Sequence, residues 1–79
     1  MNTSEAIVLV RRCVHEVAPD IDMESISDDA HLQETLHLDS LDFLQVVELL
    51  SSRSGIRIDE EDYPRLATIA SAAAFLAQH

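Results

Sequence analysis

The sequence predicts an all-α fold, and three observations carry that expectation. Glycine occurs once and proline twice in 79 residues, too few turn formers for a many-stranded sheet. Apolar residues recur at intervals of three and four rather than two. Each strongly periodic segment also begins beside a residue whose side chain can accept a hydrogen bond from a free helix amide. The architecture expected is a bundle of three main helices and one short one, with a long loop after the first helix. No repeat is visible, and residues 1–79 are expected to form a single domain.

The first helix is expected from about Ser4 to Val17. Thr3 or Ser4 can cap it, and Glu5 suits the positive end of its dipole. Ile7, Val10, Val14 and Val17 form its apolar stripe, with Ala6 and Cys13 beside them, and Pro19 prevents continuation. From Pro19 to Leu38 only isolated apolar anchors remain, and Asp28–Leu36 offers a short turn of helix. A connection this long is unusual in a compact domain and is often functional.

The second helix is expected from Ser40 to Arg53, with Asp39 as N-cap and Gly55 as the stop. Leu41, Phe43, Leu44, Val46, Val47, Leu49 and Leu50 make it apolar over most of its circumference. Such a helix is central to the core or has a second apolar partner. Ile56 and Ile58 flank Arg57 in an extended link, and the segment from Asp59 to Leu66 allows a short helical turn around Pro64. Thr68 caps the last helix, Ile69 to about Ala77, with Ile69, Ala72, Ala73 and Leu76 on one face.

Composition narrows the function. Five Lys+Arg against fifteen Asp+Glu give a net charge of −10, which repels nucleic acids and anionic membranes. An apolar share of 47% is too high for a disordered acidic tail. No apolar run approaches the roughly 20 residues of a membrane span, and the first twelve residues place their basic pair after the apolar stretch, unlike a signal peptide. Cys13 is the single cysteine, which suits a reducing cytoplasm. A domain of this size leaves little room for a deep active-site cleft.

Metal chemistry finds no support. His15, His31, His37 and His79 include no pair at i, i+4, and Cys13 has no partner. The acidic run beginning at Asp20 starts like a calcium loop but has Ser25 at the glycine position and His31 at the bidentate glutamate position. A hydrolytic pair of Ser40 and His37 is conceivable, yet no third orienting group or oxyanion hole is evident. Cys13 lies on an apolar stripe, where a small inert core residue is expected.

The remaining feature is Leu38-Asp39-Ser40-Leu41-Asp42. At its simplest, Asp39 is a cap and Ser40 a first-turn residue. A serine in that position also offers its hydroxyl to solvent beside free amides and the positive end of the dipole, so a phosphoester there would be well tolerated.

These residues resemble the attachment motif of the acyl carrier protein family. The resemblance continues through the apolar second helix, Gly55-Ile56-Arg57-Ile58, Asp59-Glu60-Glu61-Asp62 and Leu66-Ala67-Thr68-Ile69. It implies a four-helix bundle that is not itself an enzyme. It implies 4′-phosphopantetheine esterified to Ser40, with Asp39 capping and orienting the site, and acyl or aminoacyl groups held as thioesters on the arm. The implied partners are a phosphopantetheinyl transferase, an acyl- or aminoacyl-loading ligase and a downstream synthase or transferase, with the carrier acting as a monomer in fatty-acid-like or specialised biosynthesis. Leu41, Asp42 and Glu48 would meet those partners. Phe43, Val47, Leu50, Ile58, Tyr63 and Leu66 would surround the space that shelters an acyl chain.

The sequence departs from the family pattern in several places, among them the end of the second helix, where Ser51-Ser52-Arg53-Ser54 replaces the usual Glu-rich stretch. Thr35-Leu36-His37 replaces the usual Asp-Leu-Gly before the motif, and Gln45 stands where a carboxylate is common. Phe43 and Tyr63 occupy positions where small side chains are common, so cargo that is short, polar or aminoacyl, or that stays in solvent, is expected. A different class of function, an unmodified acidic helical adaptor, shares the same composition and helix pattern.

Overall fold

The computed structural model describes all 79 residues, Met1–His79. Helix α1 spans Thr3–Val17, α2 Ser40–Ser54 and α3 Ile69–Ala77. The short fourth helix is a seven-residue 3₁₀ segment, Glu60–Leu66, and a three-residue 3₁₀ turn, Met23–Ser25, lies in the long loop. There are no strands beyond one isolated bridge between His31 and Thr68. The expected all-α bundle is thus the fold adopted.

The caps explain the boundaries. Asn2, rather than Thr3 or Ser4, caps α1: its Oδ1 accepts the Glu5 amide at 2.8 Å, and the Glu5 carboxylate accepts the Asn2 amide at 3.2 Å. This reciprocal box satisfies two otherwise orphaned donors, and Thr3 then becomes the first helical residue. Asp39 caps α2 through the Asp42 amide at 2.8 Å. Thr68 caps α3 through the Ser71 amide at 2.9 Å, and the Ser71 hydroxyl accepts the Thr68 amide in return. Gly55 ends α2 at φ +72°, a left-handed conformation natural to glycine.

All eighteen buried residues are apolar, and seventeen of them form one contiguous cluster. Helix α1 contributes Ala6, Val10, Cys13 and Val14; Ile7 and Val17 are only half-buried against the cluster. The buried stripe is therefore rotated toward Ala6 and Cys13 relative to the stripe expected from the larger side chains. Close approach is the reason. Helix α1 packs mainly on the alanine-rich α3, in which Ala72 and Ala73 are fully buried, and small residues let two helix backbones come near.

The loop from Ala18 to Asp39 is fastened rather than free. Asp28–Leu36 makes turns, with the Thr35 and Leu36 amides both bonded to the His31 carbonyl, in place of a distinct helix. The Leu32 amide donates to the Ala67 carbonyl at 2.9 Å, and the Ala70 amide to the Asp28 carbonyl at 2.7 Å. Leu32, Leu36 and Leu38 are buried in the core. The Arg11 guanidinium reaches from α1 to Asp28 at 2.8 Å and to the Met23 carbonyl. The loop therefore delivers Asp39 and Ser40 to a fixed place at the mouth of α2.

Candidate functional site

Ser40 is the first residue of α2 and is exposed. Asp39 takes the Asp42 amide, and the Phe43 amide begins the helical ladder at the Asp39 carbonyl, 2.9 Å away. The amides of Ser40 and Leu41 lie before that ladder and have no intrahelical acceptor. They and the helix dipole make the surroundings of the Ser40 hydroxyl electropositive on an otherwise acidic protein.

Just before the cap, His37 sits at φ +59°, the one non-glycine residue in the left-handed region. The chain needs this conformation to turn from buried Leu36 to buried Leu38 before entering α2. His37 is exposed and does not line the groove beside Ser40. A serine–histidine hydrolytic pair has no orienting group in this arrangement.

Ser40 stands on the edge of a groove of about 640 Å³ between α2, the long loop and the 3₁₀ segment. Its apolar lining is Phe43, Leu44, Tyr63, Pro64 and Ala67. Its polar lining is His31, Gln33, Glu34 and Glu60. Phe43 and Tyr63 meet edge to face, with ring centroids 5.6 Å apart and planes at 79°.

The six residues expected around an acyl-sheltering space are divided by the fold. Phe43, itself part of the core cluster, and Tyr63 line the groove, whereas Val47, Leu50 and Leu66 are buried in the core without lining it, and Ile58 is half-buried against it. His31, Gln33 and Glu34 were not legible as site residues. They belong to an irregular loop, and only the pairing of that loop with the start of α3 brings them beside Ser40. Leu44 stands among the apolar residues of α2 and Glu60 in the acidic turn, but no spacing marks either as a residue of the groove.

The residues expected to meet partners lie on the outer face of α2. Leu41 is 71% exposed and Leu44 38%. Gln45 and Glu48 are exposed as well, so positions 41, 44, 45 and 48 form one stripe. Asp42 is half-buried beside the cap. Glu48 also borders a shallow cavity with Glu16, Val17, Gln45 and Leu49, on the side of α2 nearest α1.

Cys13 is fully buried. Burial pushes its thiol up from its ordinary value, and the Arg53 guanidinium, 3.9 Å from Sγ, only partly offsets this. The neutral thiol is a packing residue. Nowhere do three or more His, Cys, Asp or Glu side chains converge as metal ligands would, and no helix is long and apolar enough to cross a membrane.

The family model described as "Phosphopantetheine attachment site" matches residues 8–76. The acyl carrier protein of Brachyspira hyodysenteriae is 33% identical over 58 residues, covering 73% of this chain and 74% of that protein. The acyl carrier protein of Streptomyces coelicolor is 37% identical over 59 residues, covering 75% of this chain and 64% of that protein. The solved structure of the acyl carrier protein from Enterococcus faecalis superimposes with a TM-score of 0.75 at 20% identity, covering 99% of this chain and 98% of the other.

Proposed function

Because the chain belongs to the acyl carrier protein family, we propose that Ser40 is the residue that bears its arm. The protein is a carrier rather than an enzyme, and its cofactor is covalent 4′-phosphopantetheine, which supplies a flexible arm ending in the thiol that holds acyl groups as thioesters. The family works with partner enzymes such as phosphopantetheinyl transferases and synthases.

The observation that carries the assignment is the position of Ser40. It is an exposed hydroxyl at the first position of a rigidly capped helix, at the edge of a groove. The residues present fit a phosphoester. The neighbouring amides and the helix dipole favour the anion, and exposure lets a modifying enzyme reach Oγ. Asp39 holds the site through its cap. Leu41 offers an apolar contact beside the arm, and Asp42 and Glu48 offer charge to basic partners. Residues 1–79 act as one carrier domain, and a core complete within one chain supports a monomer. A loading ligase specific for acyl or aminoacyl groups is the further partner this function requires. A lone buried thiol suits residence in the reducing cytoplasm.

The test is intact-mass spectrometry after co-expression with a broad-specificity phosphopantetheinyl transferase. The expected result is a gain of one phosphopantetheine, lost in Ser40→Ala. An unchanged mass, or a gain that survives the substitution, would overturn the assignment.

A further inference from the structure

Resting on the carrier function proposed above, we infer that the groove beside Ser40 holds the cargo outside the core and selects a short acyl group bearing a protonated amine over a fatty acyl chain. The first ground is the aromatic pair. Phe43 on α2 and Tyr63 on the 3₁₀ segment meet edge to face, and both rings belong to the groove's lining. Behind them, Val47, Leu50 and Leu66 are 5%, 1% and 1% exposed and belong to the contiguous core. A long alkyl chain entering there would have to part the two rings and overfill a packed interior.

The second ground is the groove itself. A volume of about 640 Å³ accommodates a small ligand, and Ser40 on its edge tethers the arm beside it. Its lining carries Glu34 and Glu60 and no arginine, and lysine is absent from the chain. Neither carboxylate is neutralised by an ion pair: the molecule's three pairs are Arg11–Asp28, Arg53–Glu16 and Arg57–Asp59. An ammonium group in the groove meets two carboxylates that no ion pair neutralises. An alkyl tail meets only a short apolar strip, and a second carboxylate on the cargo is repelled.

The test uses coenzyme A analogues in which an amine replaces the terminal thiol, acylated with glycyl, propionyl or octanoyl groups, so that the attached cargo cannot hydrolyse. Each is transferred to the full chain, attachment is verified by intact mass, and backbone amide shifts are recorded against the unacylated arm. The glycyl form should move amides of residues 31–34 and 60–64 more than its uncharged isostere, the propionyl form. Glu34→Gln combined with Glu60→Gln should reduce the glycyl response to the propionyl level. The octanoyl chain should leave the Val47, Leu50 and Leu66 amides in place. It should move them in Phe43→Ala, or in Tyr63→Leu where the first variant is too unstable. Equal glycyl and propionyl responses, or octanoyl shifts at Val47, Leu50 and Leu66 in the unmodified sequence, would overturn the inference and leave the carrier assignment standing. Absence of any mass gain would overturn the carrier assignment, and this inference with it.

Discussion

His37 shows how much a single residue can cost. A side chain at φ +59° meets its own backbone, a penalty of about 1–2 kcal/mol that only glycine avoids. Replacement by glycine removes that penalty but gives the unfolded chain more freedom, which returns roughly 0.5–1 kcal/mol. His37→Gly should therefore stabilise the protein by about 0.5–1 kcal/mol, read as a rise in Tm of a few degrees; a fall would show that His37 is held by something other than backbone necessity. Two residues on, the Asp39 side chain accepts a single amide, yet it fixes where α2 begins. Asp39→Ala should cost about 1 kcal/mol in urea denaturation, and it should slow modification of Ser40 even under conditions where the fold is fully populated. The family motif made Asp39 and Ser40 legible in the sequence. The strain at His37 was legible only as a missing glycine, because a letter code records the substitution and not the dihedral angle.

At the scale of elements, the ends of α1 and α2 are joined by a bidentate pair. Both terminal guanidinium nitrogens of Arg53 donate to the Glu16 carboxylate, one at 2.6 Å. Arg53 lies in the last turn of α2. In the fold it turns toward α1 and is neutralised there. The hydrogen bond from Arg53 lowers the Glu16 carboxyl below the usual carboxylate range. A carboxylate whose affinity for protons falls on folding stabilises the native state above its unfolded pKa, and that stabilisation is lost as pH drops through the folded value. Acidification below the ordinary carboxylate range should thus erode Tm, and the erosion should be shallower in Glu16→Gln, which has no such contribution to lose. Both groups are solvent-exposed, so the difference is expected to be small and to shrink with added salt. Identical Tm–pH curves for the two proteins would show the pair to be energetically silent.

For the whole molecule, the dominant long-range feature is the charge of −10 confined within 29 × 24 × 19 Å. Only five cations are present, and three of them are occupied in ion pairs. Self-repulsion should therefore outweigh favourable pairing, because exposed pairs contribute little while repulsion acts across the whole surface. Raising salt from about 0.01 M to about 0.15 M contracts the screening length from about 30 Å, comparable with the protein's length, to about 8 Å. Tm should rise by several degrees over that interval. A decrease would mean that specific ion pairs govern stability instead. The same charge favours encounters with basic surfaces, and the exposed stripe of Leu41, Leu44, Gln45 and Glu48 is apolar and only sparsely charged.

Local chemistry wrote a large part of this protein directly into its sequence. The three α-helices, the Asp39 and Thr68 caps and the Gly55 stop all depend on residues within one or two turns of each other, so spacing alone reveals them. The rotation of the α1 stripe toward Ala6 and Cys13 came from close packing against α3. The meeting of Phe43 and Tyr63 in the groove's lining joins elements that are distant in sequence. The groove came from a long loop whose amides and carbonyls pair with the start of α3, carrying His31, Gln33 and Glu34 to the side of Ser40. These features were decided only in three dimensions, because burial and backbone pairing over long sequence separations depend on what every other element leaves unoccupied.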